Sequence, residues 1–305
     1  MLSVRFWGVR GSIACPGSST LRFGGNTACL EICADERLII VDMGTGIFRL
    51  GAHLVSNGLK KGPIEADVFI THTHIDHLIG FQMFTPFFID KTKIRMYGPV
   101  LPNNVSIQKI ISDQMSYNLW PVRLRELTAE IMFYSIGEAV IDLGGGLSVC
   151  SKYLNHPVVC LGYRFMYQGK SITTAFDNEV YWNIFNTENN DDFFFEDARR
   201  SGEIAVREEN KKLISFYKDT NILIYDSAYT QDEYNAGKQH WGHSTFTNAV
   251  KAANEANVEK LVLFHHDPSR SDEELARIET ECKTVLNARD DLEIIAGREG
   301  MTIVA

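Results

Sequence analysis

The stretch Thr71-His72-Thr73-His74-Ile75-Asp76-His77-Leu78-Ile79-Gly80 decides how the rest of the chain is read. It follows residues 66–70, a short apolar run rich in β-branched and aromatic side chains, which predicts a buried strand. Side chains two apart on an extended backbone point the same way, so His72 and His74 leave the strand end on one side. Asp76 and His77 fall where the chain turns toward a helix and aim at a second point nearby. Three imidazoles and a carboxylate within so short a span suit zinc, manganese or iron. One such cluster holds two metals only if other residues complete both shells, so the pattern predicts further ligands downstream. A lone histidine reads as a polar loop; His-x-His-x-Asp-His at a strand end does not.

At 305 residues and 45% hydrophobic content, the chain has material for a large core. The formal net charge is −9. Proteins that hold long nucleic acids need a basic track to release counterions, and residues 91–95 and 211–212 are short basic runs flanked by acids. A long nucleic acid is therefore not expected as a partner. A small anionic substrate is, because bound divalent cations offset charge locally. No apolar run approaches membrane-spanning length, and the start has no basic region followed by an apolar block. No membrane partner is expected. The six cysteines (Cys15, Cys29, Cys33, Cys150, Cys160, Cys282) show no Cys-x-x-Cys spacing, which predicts reduced thiols and a cytoplasmic location. Cys29 and Cys33 face one side of a strand, where core packing outweighs a metal pair.

The histidine motif resembles that of the metallo-β-lactamase superfamily, and the likeness continues along the chain. Asn155-His156-Pro157 resembles the superfamily's third histidine position, and Ala175-Phe176-Asp177 its bridging aspartate. Residues 261–265 read as a buried strand ending in His265, similar to the last ligand. Residues 38–42, followed by Gly44 and Gly46, resemble the strand and turn whose aspartate, here Asp42, supports the ligands. Arg5-Phe6-Trp7-Gly8-Val9-Arg10-Gly11-Ser12, Gly24-Gly25-Asn26-Thr27, Trp241-Gly242-His243-Ser244-Thr245 and Phe264-His265-His266-Asp267-Pro268 are similar to a narrower branch. That branch is phosphodiesterase-like, related to tRNase Z and bacterial cyclic-nucleotide phosphodiesterases. The likeness omits about residues 181–216. Ile75 stands where relatives often carry an aromatic, and Asn178 where a Thr often flanks the aspartate.

The resemblance implies an α/β fold of αββα type, a four-layer sandwich of two mixed sheets flanked by helices. It implies one domain over residues 1–305 with an insertion at about 181–218. It assigns His72, His74 and His156 to one metal, Asp76, His77 and His265 to a second, and Asp177 to the bridge. Two divalent ions follow, zinc first, with manganese or iron as alternatives. Adjacent strand positions face opposite sides, so of His265 and His266 only one is a ligand; the resemblance selects His265 and leaves His266 structural. His243 resembles the tRNase Z-type histidine that serves the leaving group, and Asp226 its acidic partner. A carboxylate holding one imidazole nitrogen fixes the tautomer and suits a general acid.

The expected function is a dinuclear metal phosphodiesterase whose catalytic residues are Asp76, His243 and Asp226. Its substrate, by resemblance, is a small phosphodiester, a 3′,5′-cyclic nucleotide. A tRNA 3′-processing nuclease is the alternative, though it would want a basic, glycine-rich arm. A non-catalytic metal- or ligand-sensing module is the third reading, and the complete ligand set counts against it.

Elsewhere, strands are expected at residues 2–7, 28–33, 38–41, 93–97, 131–134, 147–152, 159–167, 171–175, 221–225, 261–264, 293–296 and 301–304. Helices are expected at 47–59, 107–115, from Ser244 as a cap, and from a Ser271/Glu274 capping box to about Leu286. Residues 81–89, with five aromatic or Met side chains around Pro86, either wall a substrate pocket or pack the core. Tyr117, Trp120 and Pro121 offer a face on which a base could stack. Residues 181–218 break the pattern with an aromatic run bracketed by acids. They form a lid, an arm to the partner of a homodimer, or a helical excursion packed on the domain.

Overall fold

The computed structural model describes residues 1–58, 63–185, 193–284, 286 and 288–305, with the backbone alone at 58 and 193–195. Alternation of apolar side chains builds two seven-stranded sheets among the described residues. The first contains β1 (Leu2–Gly8), β2 (Cys29–Ala34), β3 (Arg37–Val41), β4 (Glu65–Phe69), β5 (Lys93–Pro99), β6 (Glu130–Ile136) and β14 (Thr302–Val304), in the order β14-β1-β2-β3-β4-β5-β6. The second contains β7 (Val140–Gly144), β8 (Leu147–Leu154), β9 (Cys160–Tyr167), β10 (Lys170–Ala175), β11 (Ile222–Asp226), β12 (Lys260–Phe264) and β13 (Glu293–Ala296), in the order β13-β12-β11-β10-β9-β8-β7. Pairing is parallel from β3 to β6 and from β10 to β13, and antiparallel elsewhere.

Inward residues of both sheets, such as Val4, Phe6, Ile32, Val41 and Phe69 against Val149, Phe165, Ile224 and Phe264, form one core between them. The outward residues of β4, Ala66 and Val68, meet α1 (Ile47–His53) in a second core, with α2 (Ile75–Leu78) and α3 (Ile107–Gln114) on the same side. The second sheet is covered by α4 (Phe193–Tyr217), α6 (Phe246–Glu255) and α7 (Asp272–Thr284), with the single turn α5 (Gln231–Glu233) between. This is the αββα sandwich expected. Its parallel strands bring the carboxyl ends of β3, β4, β10, β11 and β12 to one edge, where α/β sheets collect their ligands.

Several local expectations change. Phe81, Phe84 and Phe87 are fully buried with Ile47, Leu50 and Met96, so these three are core, while Met83 and Phe88 stay exposed. Burying each ring contributes about 1.5–3 kcal/mol, which favours packing over an open face. Helix α1 stops at His53 and widens into a π turn over Leu54–Gly58; residue 59 lies outside the described residues. Helix α6 is capped one residue later, by Thr245, whose hydroxyl accepts from Asn248 N, while the Ser244 hydroxyl donates to the Asn178 carbonyl. The Ser271/Glu274 box forms as expected, and α7 ends at Thr284, short of Leu286. Strand β7 was not anticipated: it is an edge strand whose exposed, Asp-containing pattern carries no apolar run. In the 181–218 excursion, Leu213, Phe216 and Tyr217 of α4 pack against Leu154, Tyr225 and Val250, so its last turns are core, not lid. Asp191 and Asp192 of the acid-bracketed run lie outside the described residues.

Candidate active site

The chain leaves β4 extended, and His74 caps α2 at φ −64°, ψ 149°. His72 and His74 therefore emerge on one side, their rings 4.6 Å apart, while the first turn of α2 supplies Asp76 and His77. His156 arrives on the connection between β8 and β9. Asp177 follows β10 and His265 follows β12; Asp42 follows β3. These last three have φ of 43°, 60° and 60°, the left-handed region. Such backbone costs about 1–3 kcal/mol per residue and persists only where the surroundings impose it. It turns each side chain off its strand into the gap between the sheets.

There the donor atoms form three overlapping groups: His72, His74, His156 and Asp177; Asp76, His77 and His265; and Asp177, His243 and His265. Asp177 stands between the first two. Its Oδ2 lies 3.4 Å from His72 Nε2 and 3.8 Å from His156 Nε2, and its Oδ1 lies 3.2 Å from both His77 Nε2 and His265 Nε2. Asp76 Oδ2 is 3.2 Å from His77 Nε2 and 3.4 Å from His265 Nε2. Behind them, Asp42 Oδ2 accepts from His77 Nδ1 (2.7 Å) and the Thr71 hydroxyl (2.7 Å), and its Oδ1 from Thr71 N (2.8 Å). His156 Nδ1 donates to the Gly242 carbonyl at 2.9 Å. The bonds to His77 and His156 fix their tautomers and turn Nε2 toward the cluster, as partners of metal-bound histidines do.

These residues fit a divalent cation. His72 Nε2, His77 Nε2 and Asp177 Oδ1 are buried with no hydrogen-bond partner, an arrangement that stays expensive until something binds them. Burial opposes ionisation of Asp177, yet the charges of His265, His77 and His72 hold it well below the usual carboxylate range. Asp76 is likewise held down, against burial, by His77 and His265. His77 is driven well up, also against burial, by Asp177, Asp76 and Asp42, while burial pulls His72 well down and His156 to about 4. The buried carboxylates thus demand positive charge that the imidazoles supply only in part.

Beside the cluster, His243 Nδ1 sits 2.8 Å from Asp226 Oδ2. Asp226 is fully buried and also accepts the Asn178 and Ala228 amides. The His243 ring stacks on His265 at 4.9 Å. Burial pulls its pKa down, but Asp226, then Asp177 and Asp76, push it up to about 9. A cavity of about 250 Å³ is lined by Ser12, His74, Ile75, Asp76, Asp177, His243 and His265, so the cluster and His243 open on the same space.

All nine residues singled out in the sequence thus lie in this one region. His266 does not join them: it is buried and its Nε2 donates to the Gly297 carbonyl at 2.9 Å. Tyr117 is exposed beneath the Arg123 guanidinium and Trp120 packs against the core; neither lines the cavity, so they offer no stacking face there. Three residues went unread. Ser12 N donates to Asp76 Oδ2 at 2.8 Å, Gly11 lies against the His265 ring, and buried Glu179 takes the His240 and Gly242 amides at 2.8 and 2.9 Å. Gly11 and Ser12 sit in a stretch quoted for its resemblance, but their contacts run through backbone that no spacing rule reveals.

No family model matches the chain. Ribonuclease Z of Clostridium tetani is 26% identical to it over 263 residues, which cover 78% of this chain and 82% of the relative. The metallo-β-lactamase-fold protein YhfI of Bacillus subtilis matches its structure with a TM-score of 0.64 at 15% identity, covering 99% of this chain and 98% of that one. The chain is a metal-dependent hydrolase with the metallo-β-lactamase fold, similar in sequence to ribonuclease Z. Human tRNase Z, short form, matches the hydrolase with a TM-score of 0.62 at 17% identity, covering 99% and 98% of the two chains. The hydrolase is thus a metal-dependent enzyme on the αββα sandwich that its histidine motif implied. Its relatives stand closer to the nuclease given above as the alternative than to the cyclic-nucleotide phosphodiesterase given first. They also run against the expectation of no long nucleic acid as partner. No helix among the described residues of the hydrolase is long and apolar enough to cross a membrane.

Proposed function

We propose that the hydrolase cleaves RNA phosphodiesters in the manner of a ribonuclease Z, with His243 protonating the departing ribose oxygen. The observation that carries this reading is the Asp226–His243 pair at 2.8 Å, opening on the same cavity as the histidine–aspartate cluster. His72, His74 and His156 would hold one divalent ion and Asp76, His77 and His265 another, with Asp177 shared; zinc suits this donor set, and manganese or iron is compatible with it. Bound there, such ions supply Lewis acidity toward phosphoryl oxygens and lower the pKa of water.

The chain's own groups do the rest. Asp42 orients His77, the Ser12 amide orients Asp76, and the Gly242 carbonyl orients His156. With Nδ1 held by Asp226, the proton that His243 can give up is the one on Nε2. As a water oxygen bonds to phosphorus and the P–O bond to the ribose breaks, that proton passes to the leaving oxygen, which would otherwise depart as a strongly basic alkoxide. Asp226 stabilises the imidazolium before transfer and keeps the ring in place after it.

A small cyclic phosphodiester remains the second reading, favoured by the net charge of −9 and the modest cavity. Metal-loaded protein assayed on a tRNA precursor with a 3′ trailer, linear dinucleotides and 3′,5′-cyclic nucleotides separates the two. Cleavage of the RNA substrates to a 3′-hydroxyl product is expected. Turnover confined to cyclic nucleotides would replace the first reading by the second, and full metal occupancy without turnover would favour the sensing module.

A further inference from the structure

Trp241 is 55% exposed, yet the fold holds its backbone on both sides. The amides of His240 and Gly242 donate to the two oxygens of one carboxylate, Glu179, which is itself 2% exposed and also takes the Tyr234 hydroxyl. Glu179 reaches this position from the segment just after Asp177, so the same connection sets the metal cluster and the indole. The Lys238 ammonium lies 4.1 Å from the Trp241 ring centre and 5.5 Å from that of Tyr229. Tyr229 in turn meets the His243 ring edge-on at 6.1 Å. Lys238 has no carboxylate partner among the described residues, in a chain of net charge −9. Even with Lys238 over its ring, Trp241 is more than half exposed, which is room for a planar ligand to stack. A second ring pair, Trp182 on His240, adjoins it.

An exposed indole contributes little to the core, and a loop fixed by a buried carboxylate is not a casual surface feature. A rigid aromatic face with a cation beside it is what sequence-tolerant binding of a nucleobase requires. We propose that Trp241 and Lys238 form the nucleoside subsite on the leaving-group side. The base of the nucleotide whose oxygen His243 protonates stacks on Trp241, and Lys238, on the side toward Tyr229, meets that nucleotide's backbone. This rests on the role given above to His243.

The test uses metal-loaded enzyme, dinucleoside monophosphates, and the same compounds with an abasic riboside on the leaving side. Trp241→Ala should raise KM on the base-bearing substrates by about tenfold or more, the size of a lost stacking contact, with kcat little changed. The abasic series should be unaffected, and Trp241→Phe should restore most of the loss. On a short single-stranded RNA, Lys238→Ala should make the salt dependence of kcat/KM shallower by about 0.7 in log–log slope. An equal effect of Trp241→Ala on both series, or none on either, overturns the subsite while leaving the enzyme reading intact. So does a change of mass in solution in Trp241→Ala, which would make the indole a subunit contact. If Trp241→Ala fails to load metal, the Lys238→Ala slope decides, and an unchanged slope overturns the proposal. Absence of turnover on either series in the unaltered enzyme fails the earlier reading instead.

Discussion

Replacing Gly11 by alanine is expected to disable the metal cluster without altering any candidate ligand. Gly11 N donates to the His266 carbonyl at 3.0 Å, which ties its loop against the end of β12, and the next amide holds Asp76. A Cβ at position 11 would sit 2.7 Å from His265 Nε2 and closer still to Nδ1 and Cε1, where ordinary contact begins at 3.4 Å. Ring or loop must therefore move by the difference, at least 0.7 Å. The ring has little room, being stacked on His77 at 5.5 Å and on His243 at 4.9 Å, with its own backbone in the left-handed region. If the loop moves instead, Asp76 loses the Ser12 amide. Overpacking of this kind costs about 1–3 kcal/mol, a displacement near 1 Å costs on the order of a hundredfold in rate, and disturbing groups that orient ligands weakens metal binding by roughly 10- to 100-fold. Metal content after dialysis, measured with chelator competition and turnover of bis(p-nitrophenyl)phosphate, reads all three. Gly17→Ala is the control, since nothing lies within 4 Å of a Cβ there. Full metal content and an unchanged rate in Gly11→Ala would refute the reasoning.

Asp177→Ala should lose both activity and much of the metal, because each of its oxygens faces a different set of imidazoles; retention of both would remove it from the bridge. His265→Ala should lose metal and activity while His266→Ala keeps its metal, and elemental analysis of the two variants showing the reverse would mean that the wrong neighbour was chosen. Asp42→Ala leaves His77 Nδ1 without its partner. A roughly 10- to 100-fold loss in metal affinity is expected from chelator titration, and an unchanged affinity would show that Asp42 only supports the turn.

The cluster was legible because its core is local: two histidines at strand period and an Asp-His pair in the next turn need no knowledge of distant chain. His156, Asp177, Asp226, His243 and His265 came from resemblance; all but His243, which lies in the loop before α6, sit at or just past strand ends, and the sandwich delivers strand ends to one edge. What stayed hidden acts across the chain through backbone. Ser12 reaches Asp76 over 64 residues, and Glu179 reaches Gly242 over 63, both by amide–carboxylate bonds that leave no composition signal. Ser244 looked like a cap because capping is read from neighbours, whereas the helix starts one residue later and Thr245 is the cap. Phe81, Phe84 and Phe87 could have walled a pocket or filled a core; only the position of α1 decides. Net charge, a whole-chain sum, argued against a nucleic acid partner and could not register one half-buried lysine beside an indole.

Leaving-group dependence tests the central claim most directly. His243→Ala and the unaltered enzyme are compared on an RNA-type diester, whose ribose oxygen needs a proton, and on a p-nitrophenyl diester, whose phenolate leaves without one. With metal content equal in both proteins, the RNA-type bond should lose roughly a hundredfold to ten-thousandfold and the p-nitrophenyl bond far less. Equal losses on the two substrates would contradict the account, leaving His243 to position the phosphate and the proton to come from elsewhere.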